Sequence, residues 1–322
     1  MHSVRAPQYG GPEVMVYEEL PTPAPAKGQV LVKVHAIGVN FVDIYHRTGQ
    51  YTTPMPVPIG LEGAGIVEAV GEGVTANKVG DRVAWCAQAG SYSTHLVTTP
   101  DKLVPVPEGC DLKLAAAIML QGMTAHALAH GVHACKAGDT VLIHAAAGGV
   151  GQLLVQFASQ AGARVIATVS TEEKAKKVRA LGAHEVILYS QQDFEVETKR
   201  LTNNVGVDVA YDSVGKDTFA KSLNVTKRRG LVCLYGMASG PVPLFEVQTL
   251  AGKGSLFLTR MKLADYIATP DELKMRSGAV FGAVAAGTLK IEIGGEFPLK
   301  DAAEAHRLLG GRATTGKLVL LP

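Results

Sequence analysis

A run of small residues at 144–151, His-Ala-Ala-Ala-Gly-Gly-Val-Gly, would let the backbone approach a phosphate group closely. The run follows a short apolar segment that predicts a strand (140–144) and opens a predicted helix (149–161), which is the context of a dinucleotide-binding loop. Amides and the dipole at the start of such a helix favour negative charge. The pattern is not a strict GxGxxG, because Ala146 stands at the first glycine, and a turn that only packs a helix on a strand is the alternative. The surrounding strand–helix–strand pattern favours the binding loop.

The end of the next predicted strand (163–169) discriminates between the two nicotinamide cofactors. An NAD site usually places an acidic residue there, about 20 residues after the glycines. Here Ser170 and Thr171 hold that place, and Lys174 follows one helical turn later. A hydroxyl and a cation suit a 2′-phosphate, so this segment predicts NADPH. The alternative for Lys174 is a solvated helix face, since Lys176, Lys177 and Arg179 share the region.

The elements that would position these residues change in type near residue 112. Before it, apolar residues alternate along 30–36, glycines bracket a strand at 66–70, and prolines cluster at 21–25 and 54–58, which together predict a small β-barrel. A long alanine-rich helix is predicted over 112–130. Strands and helices alternate from residue 138 to about 261, which predicts a doubly wound parallel sheet. The remaining segment, with a helix over 271–286 and a strand over 317–321, is expected to return to the first domain. The short basic run at 227–229 is expected to be a solvated turn.

Length and composition exclude several classes of protein. The 322 residues correspond to about two domains. There are 31 Lys and Arg against 29 Asp and Glu, so a net charge of +2 gives no electrostatic reason to expect a nucleic-acid partner. The four cysteines form no CxxC pair, which argues against a disulfide framework or a zinc ribbon. We find no signal sequence and no uninterrupted apolar stretch of about 20 residues, and we therefore expect no membrane partner and a cytoplasmic location.

With these features the chain resembles the zinc-independent quinone oxidoreductases of the medium-chain dehydrogenase/reductase superfamily, the group that includes zeta-crystallin. The resemblance covers essentially the whole chain. The segments that carry it are 10–14, 40–45, 49–51, 60–83, 145–151, 211–215, 228–230, 254–260 and 312–316. It implies an α/β protein with a GroES-like β-barrel catalytic domain (1–122 with 262–322) and a Rossmann NADPH-binding domain (123–261). It also implies a cofactor site in the cleft between them and a homodimer.

The resemblance also implies the residues of the site. For catalysis these are Asn40, Tyr45, Tyr51 and Arg260. For cofactor binding they are Asn40, Phe41, Tyr45, Thr124, Gly148, Gly149, Val150, Ser170, Lys174, Tyr189, Val214, Tyr235, Gly236 and Arg312. The two tyrosines, Tyr45 and Tyr51, are expected on a loop that contains Gly49, and ordinary loop aromatics are their alternative. A tyrosine hydroxyl, the Asn40 amide or water would donate a hydrogen bond to the reduced oxygen.

No metal is expected. Zinc-dependent relatives carry a histidine before the glutamate at 62, where this chain has Leu61, and they carry a lobe of four close cysteines that is missing here. His126, His130 and His133 have helical spacing, but two histidines on a helix are more often packing or surface residues.

The predicted activity is NADPH-dependent reduction of a quinone, without metal. One alternative is reduction of α,β-unsaturated aldehydes or ketones by the same hydride chemistry. The other is a non-enzymatic role in binding NADPH or RNA. We expect the homodimer to form through a sixth, outermost strand at 254–259, because an apolar edge strand tends to be paired or covered.

Overall fold

The chain folds into two compact units, which the computed structural model describes over residues 1–311 and 314–322. The catalytic unit comprises Met1–Met123 and Ile267–Pro322, and the nucleotide unit comprises Thr124–Tyr266. The boundaries predicted from the sequence fall after residues 122 and 261.

The strands, in chain order, are β1 (His2–Ala6), β2 (Val16–Glu19), β3 (Val30–Val39), β4 (Val57–Pro58), β5 (Glu62–Val70), β6 (Arg82–Cys86), β7 (His95–Thr98), β8 (Val104–Pro105), β9 (Thr140–Ile143), β10 (Arg164–Val169), β11 (Glu185–Leu188), β12 (Val207–Asp212), β13 (Thr226–Leu234), β14 (Phe257–Arg260), β15 (Ile293–Pro298) and β16 (Lys317–Leu321). The α-helices are α1 (Phe41–Arg47), α2 (Leu112–Ala127), α3 (Gly149–Gln160), α4 (Glu172–Ala180), α5 (Phe194–Leu201), α6 (Phe219–Val225), α7 (Gln248–Gly252), α8 (Pro270–Ala285) and α9 (Ala302–Gly310).

The catalytic unit is built around the long strand β3. This strand pairs antiparallel with β5, β7 and β16, and the sheet continues from β5 to β6 and β8. Its side chains alternate as the sequence predicts, with Val32 and Val34 buried and Lys33 and His35 exposed. The core beneath them includes the fully buried Trp85. The C-terminal segment returns to this unit, as expected, because β16 pairs with β3 between Leu318 and Val39.

The nucleotide unit contains a six-stranded sheet in the order β11-β10-β9-β12-β13-β14, with every ladder parallel. A parallel sheet buries both faces, which explains the continuous apolar runs of β9 and β10. Leu142, Ile166 and Val232 are fully buried in its core. The predicted doubly wound sheet is therefore confirmed, and β14 is its outermost strand.

The structure differs from the predicted elements at three places. The alanine-rich helix ends at Ala127 and continues as a π-helical turn, Leu128–Val132. The basic run at 227–229, expected to be a solvated turn, lies inside β13, where the register shifts against β12 and Arg229 has a φ of 59°. Tyr45 lies on the short helix α1 and not on a loop.

One helical segment, Leu112–Val132, is long and apolar enough to cross a membrane when its mean hydropathy is taken over 18 residues. Polar residues such as Gln121 and Thr124 interrupt the apolar run of this segment. Of this window, 72% is buried inside the protein, as in the core helix of a globular protein.

Candidate functional site

Several loops meet at one edge of the nucleotide unit's sheet, because the carboxyl ends of parallel strands lie on the same side. The strands β9 and β12 are neighbours there, and the chain order reverses across them, with β10 and β11 on one side and β13 and β14 on the other. Ligands of open α/β sheets bind outside the carboxyl ends of the strands at such a reversal. The predicted cofactor residues at 148–150, 170, 189, 214 and 235–236 all follow the ends of these strands.

The glycine-rich loop after β9 has the geometry of a phosphate cradle. Gly148 caps α3 and, having no side chain, makes no capping hydrogen bond to the helix, so the first-turn amides suit a bound anion. A Cβ on Gly151 would lie 2.4 Å from the carbonyl oxygen of Ala145, so only glycine lets the helix pack this closely on the loop. Ala145 itself has a φ of 49°, a left-handed conformation that turns the chain out of β9.

Hydroxyl groups occupy the end of β10, as the sequence predicts. Thr171 caps α4, and its side chain accepts a hydrogen bond from the Lys174 amide at 3.3 Å. The Ser170 carbonyl accepts from the Ser190 hydroxyl at 2.7 Å, which joins this turn to the segment after β11. The two carboxylates nearest in sequence begin α4, and one of them, Glu172, is paired with Arg179 at 2.7 Å.

The other predicted cofactor residues, and Arg260, differ in their burial and contacts. A Cβ on Gly236 would lie 2.4 Å from the Ser213 carbonyl oxygen, so the turns after β12 and β13, which carry Val214 and Tyr235, approach each other closely at Ser213 and Gly236. Tyr189 is half exposed, and Thr124 is buried. Arg260 is the exposed last residue of β14, and its guanidinium donates to the Met261 carbonyl at 3.1 Å. Arg312, which belongs to the catalytic unit, lies outside the described residues.

A buried polar network that no sequence pattern predicted lies beneath this edge. The two ring nitrogens of His144 contact the hydroxyls of Thr168 and Ser222, each at 3.1 Å. Ser222 donates in turn to Asp212, whose other carboxylate oxygen accepts from the Val214 amide at 2.8 Å. Burial lowers the pKa of His144, so the ring is held neutral. A neutral imidazole is therefore linked through Ser222 and Asp212 to the loop after β12.

The predicted acceptor-side residues of the catalytic unit gather around α1. Asn40 precedes the helix, and Tyr45 lies within it with only 6% of its surface exposed. The Tyr51 ring is edge-on to Tyr45, with ring centres 5.5 Å apart, and its amide donates to the Tyr45 carbonyl at 3.1 Å. Phe41 lies on the other side of Tyr45, with ring centres 6.2 Å apart. These contacts form one aromatic cluster from residues that are ten positions apart at most.

The expected role of Asn40 as a hydrogen-bond donor to substrate needs correction. Its side-chain NH2 already donates to Glu62 Oε2 at 2.8 Å and to the Gly38 carbonyl at 3.2 Å. Its side-chain oxygen accepts from Lys317 at 2.8 Å and from Gln121 at 3.3 Å. An amide NH2 carries two hydrogens, so no donor is left for a bound substrate. The structure gives Asn40 a role in holding α1 and not in contacting the reduced oxygen.

A second series of buried hydrogen bonds connects α1 to α9. Arg47 can only donate, so its guanidinium, 3.1 Å from His306 Nδ1, makes that nitrogen an acceptor. His306 Nε2–H then donates to the Tyr92 hydroxyl at 3.0 Å, and Tyr92 donates to Asp43 Oδ2 at 3.1 Å. Burial and the nearby Arg47 lower the pKa of His306 to about 3.

The pKa of Asp43, at the end of this series of hydrogen bonds, is shifted in the opposite direction. Burial raises the pKa of Asp43 to about 7, although the Asn40 amide donates to its Oδ2 at 2.8 Å. Its other oxygen, Oδ1, is buried without a hydrogen-bond partner in the described part of the chain. Ionisation of Asp43 therefore has an unusually high free-energy cost. Asp43 lies in the first turn of the helix that holds Tyr45.

The chain is similar to known proteins over nearly its whole length. Residues 26–108 match the family described as alcohol dehydrogenase GroES-like domain, and residues 149–267 match the family described as zinc-binding dehydrogenase. A quinone oxidoreductase of Pseudomonas aeruginosa is 45% identical over 98% of this chain and 97% of its own length. The chain belongs to the quinone oxidoreductase family.

Other members of this superfamily are comparably similar to the chain. A 2-haloacrylate reductase of a Burkholderia species is 47% identical over 97% of this chain and 96% of its own length. The crystal structure of Escherichia coli quinone oxidoreductase complexed with NADPH superimposes with a TM-score of 0.98 at 39% identity, covering all of both chains. The predicted family and the predicted combination of a GroES-like and a Rossmann domain are confirmed.

The surroundings of Glu62 bear on metal binding in this family member. Leu61 precedes it, and both carboxylate oxygens are already hydrogen-bonded, Oε1 to the Leu120 amide at 2.6 Å and Oε2 to Asn40 and Lys317. Within residues 1–311 and 314–322, no three His, Cys, Asp or Glu side chains are grouped as metal ligands. The rings of His126 and His130 both pack edge-on against Phe157. Independence from zinc stays a prediction.

Proposed function

We propose that this protein reduces quinones with NADPH by hydride transfer. The observation that carries the proposal is the near full-length identity to a quinone oxidoreductase, at 45%, in a chain whose nucleotide unit has the glycine cradle and the hydroxyl-ended β10. The match to an NADPH complex at a TM-score of 0.98 supports the choice of cofactor.

The residues of the nucleotide unit fit a dinucleotide. The uncapped start of α3 suits the pyrophosphate, since its amides point at the ligand and its dipole favours negative charge. Ser170 and Lys174 are assigned to the 2′-phosphate, and Tyr189 to the adenine-ribose side. Val214, Tyr235 and Gly236 are assigned to the nicotinamide-ribose side. Thr124, and Arg312 of the catalytic unit, are assigned as further cofactor contacts. When bound, the cofactor supplies the hydride, and the protein supplies position and electrostatics.

On the acceptor side, Tyr45 and Tyr51 are assigned to the quinone. A quinone is already electrophilic, so no metal is needed to polarise it, but the reduced oxygen gains negative charge. A tyrosine hydroxyl can donate a hydrogen bond to this oxygen. Asn40 is assigned a supporting role only, because its amide hydrogens are already used. Arg260, at the end of β14, is assigned a basic position near the reacting groups.

A second candidate function is reduction of a conjugated carbon–carbon double bond. It is favoured by the 47% identity to a 2-haloacrylate reductase. The chemistry is close, since in both cases hydride adds to an electron-poor conjugated system and the oxygen-bearing end gains negative charge.

We further propose a homodimer that forms through β14. This strand is the edge of the sheet, and Phe257 on it is 63% exposed. Leu244 and Val247, in the preceding segment, are also exposed apolar residues. Antiparallel pairing of β14 with its twofold mate would cover this apolar edge and satisfy its open backbone groups. The cytoplasmic location remains part of the proposal, and it agrees with four cysteines that are all free thiols.

One experiment separates the two functions. NADPH oxidation is followed with 1,4-benzoquinone, a naphthoquinone, an enal and 2-chloroacrylate, with product analysis, and each assay is repeated with NADH and after dialysis against EDTA. We expect quinone turnover, preferred by kcat/KM over the two conjugated alkenes, with NADPH favoured and no effect of the chelator. Preferred turnover of 2-chloroacrylate would establish the second function. Loss of activity together with about one bound zinc per chain would overturn the assignment as a metal-free enzyme.

A further inference from the structure

A buried ammonium group lies at the junction of four elements of the catalytic unit. Lys317, the first residue of β16, is only 2% exposed. Its Nζ lies 2.5 Å from Glu62 Oε2 on β5 and 2.8 Å from the Asn40 side-chain oxygen, directly before α1. Glu62 Oε1 accepts from the Leu120 amide on α2 at 2.6 Å. A buried charge is retained only when it is paired and hydrogen-bonded, and both conditions hold here.

The backbone is shaped to admit this pair. A Cβ on Gly38 of β3 would lie 2.2 Å from Glu62 Oε2 and 2.7 Å from Lys317 Cε. A side chain at this position would collide with both partners of the ion pair. The glycine on the central strand is therefore part of the same arrangement as the two charges.

The pair fixes the orientation of the Asn40 side chain. The Lys317 ammonium only donates, so the oxygen of Asn40 must face it, and the NH2 must face the Glu62 carboxylate. Rotating the amide by 180° would set a donor against the ammonium and an acceptor against the carboxylate. The backbone amide of Asn40 donates to Asp43 Oδ2 at 2.8 Å, so the side chain held by Lys317 belongs to the residue that starts α1.

We propose that Lys317 is a positioning residue for the reduction, acting through Asn40 on α1 and on the Tyr45–Tyr51 pair that this helix carries. The inference rests on the proposed assignment of those tyrosines to the acceptor. Lys317 touches neither substrate nor cofactor in this account. It sets the orientation of Asn40, and Asn40 sets where α1 begins.

The test compares a single and a double variant. Lys317→Met leaves Glu62 buried and unpaired, so it should lower both stability and turnover. The double variant Lys317→Met/Glu62→Gln removes both charges and should regain part of the lost stability, although the glutamine offers one acceptor oxygen to the Leu120 and Asn40 donors where the glutamate offers two, and Asn40 still lacks its ammonium donor. We expect kcat with the best acceptor to stay about tenfold to a hundredfold below the parent in the double variant, the scale for misplaced substrate-positioning groups. Lys113→Met is the control, because it breaks an exposed pair with Glu296 in the same unit.

Recovery of full turnover together with stability in the double variant would show that Lys317 only balances charge, and the proposal would be wrong. Hydrogen–deuterium exchange without cofactor or substrate gives an independent readout. Amides 41–47 should exchange faster in the double variant, with the rest of the chain unchanged, and an unchanged α1 would also overturn the proposal. This readout separates failure of the inference from failure of the proposed function, which is tested by turnover of the parent enzyme.

If neither Lys317 variant folds, Gln121→Leu tests the same point safely. It removes only the weaker donor to the Asn40 oxygen, at 3.3 Å, and leaves every charge paired. We expect a smaller fall in kcat, with faster exchange at the start of α1. Because Lys317 still donates to the Asn40 oxygen in this variant, near-parental turnover supports its role, whereas a hundredfold fall would assign the orientation of Asn40 to Gln121 and overturn the proposal.

Discussion

Replacing the buried His306 with glutamine should change how the stability of the catalytic unit depends on pH. The folded protein holds this ring neutral, with a pKa lowered from 6.5 to about 3 by burial and by Arg47. Below pH 6.5 the unfolded chain binds a proton that the folded chain does not. The histidine's contribution to stability is therefore complete above pH 6.5 and is lost as the pH falls towards 3. Each pH unit in this window corresponds to about 1.4 kcal/mol.

Asp43, at the other end of the same chain of hydrogen bonds, acts in the opposite direction. Burial raises its pKa from 3.8 to about 7, so between these values the folded protein keeps a proton that the unfolded chain has lost. Stability therefore falls as the pH rises from 3.8 to about 7. Between pH 5 and 6.5 the two groups contribute slopes of similar size and opposite sign, and the parent protein should show little net dependence from this pair.

Replacing either residue removes its own contribution to the pH dependence of stability and leaves the contribution of the other. Glutamine can accept from Arg47 and donate to Tyr92 as the neutral imidazole does, so His306→Gln keeps the hydrogen bonds and removes the titration. Relative to the parent, His306→Gln should gain about 2 kcal/mol of stability as the pH falls from 6.5 to 5. Asp43→Asn should gain about 3 kcal/mol relative to the parent as the pH rises from 5 to 7.

The assay is urea unfolding at several pH values, followed by the fluorescence of Trp85. This is the one tryptophan of the chain, and it lies fully buried in the catalytic unit, so its signal reports the unit that contains both groups. His35→Gln, at a histidine exposed to water on β3, is the matched control and should run parallel to the parent. A stability difference for His306→Gln that is constant from pH 5 to 8 would refute the neutral buried ring. If both variants gained stability relative to the parent in the same direction of pH change, the opposite signs of the His306 and Asp43 contributions would be refuted.

Three further predictions concern the cofactor, the acceptor and the assembly. Lys174→Glu should raise the KM for NADPH and reduce a preference over NADH that we expect to be about tenfold, or about 1.4 kcal/mol, in the parent; equal use of both cofactors by the parent would refute the assignment of Ser170 and Lys174. Tyr51→Phe should lower turnover by about tenfold at most, the scale of one neutral hydrogen bond; a thousandfold loss with intact NADPH binding would instead identify a general acid. Phe257→Lys should shift the mass measured by light scattering from dimer to monomer at micromolar concentration, and a monomeric parent would contradict the assembly through β14.

The nucleotide unit was largely predictable because its signals are local. The glycine-rich run, the short apolar strands and the hydroxyl pair after β10 each lie within a few residues of one another. Parallel strands then bring the loops at their ends to one edge without further information. The sequence did not indicate the buried hydrogen bonds of His144 beneath these loops. His144 opens the recognised run, but its partners Thr168 and Ser222 lie 24 and 78 residues away.

The catalytic unit was predictable in outline and not in its polar core. The alternation in β3 and the return of the C-terminal strand were correctly predicted, whereas α1 was too short for a helical period to show. The partners that hold it are distant in sequence, with 277 positions between Asn40 and Lys317 and 259 between Arg47 and His306. Hydrogen-bond saturation of Asn40 is a property of this folded junction, and no pattern around residue 40 could indicate it.

The saturation of Asn40 also changes which substitutions should matter most. A residue that contacts the acceptor through one neutral hydrogen bond contributes about 0.5–1.5 kcal/mol, so losing the Tyr51 hydroxyl should cost little. Lys317 has no contact with the acceptor, but it determines the orientation of the amide that precedes α1, and displacement of that helix moves Tyr45 and its packed partner Tyr51 together. Misplacement of positioning groups by about 1 Å can cost about a hundredfold in rate. The larger kinetic effect should therefore come from the buried lysine and not from the tyrosine hydroxyl, which is the order expected of a site that works by placing an acceptor that is already reactive.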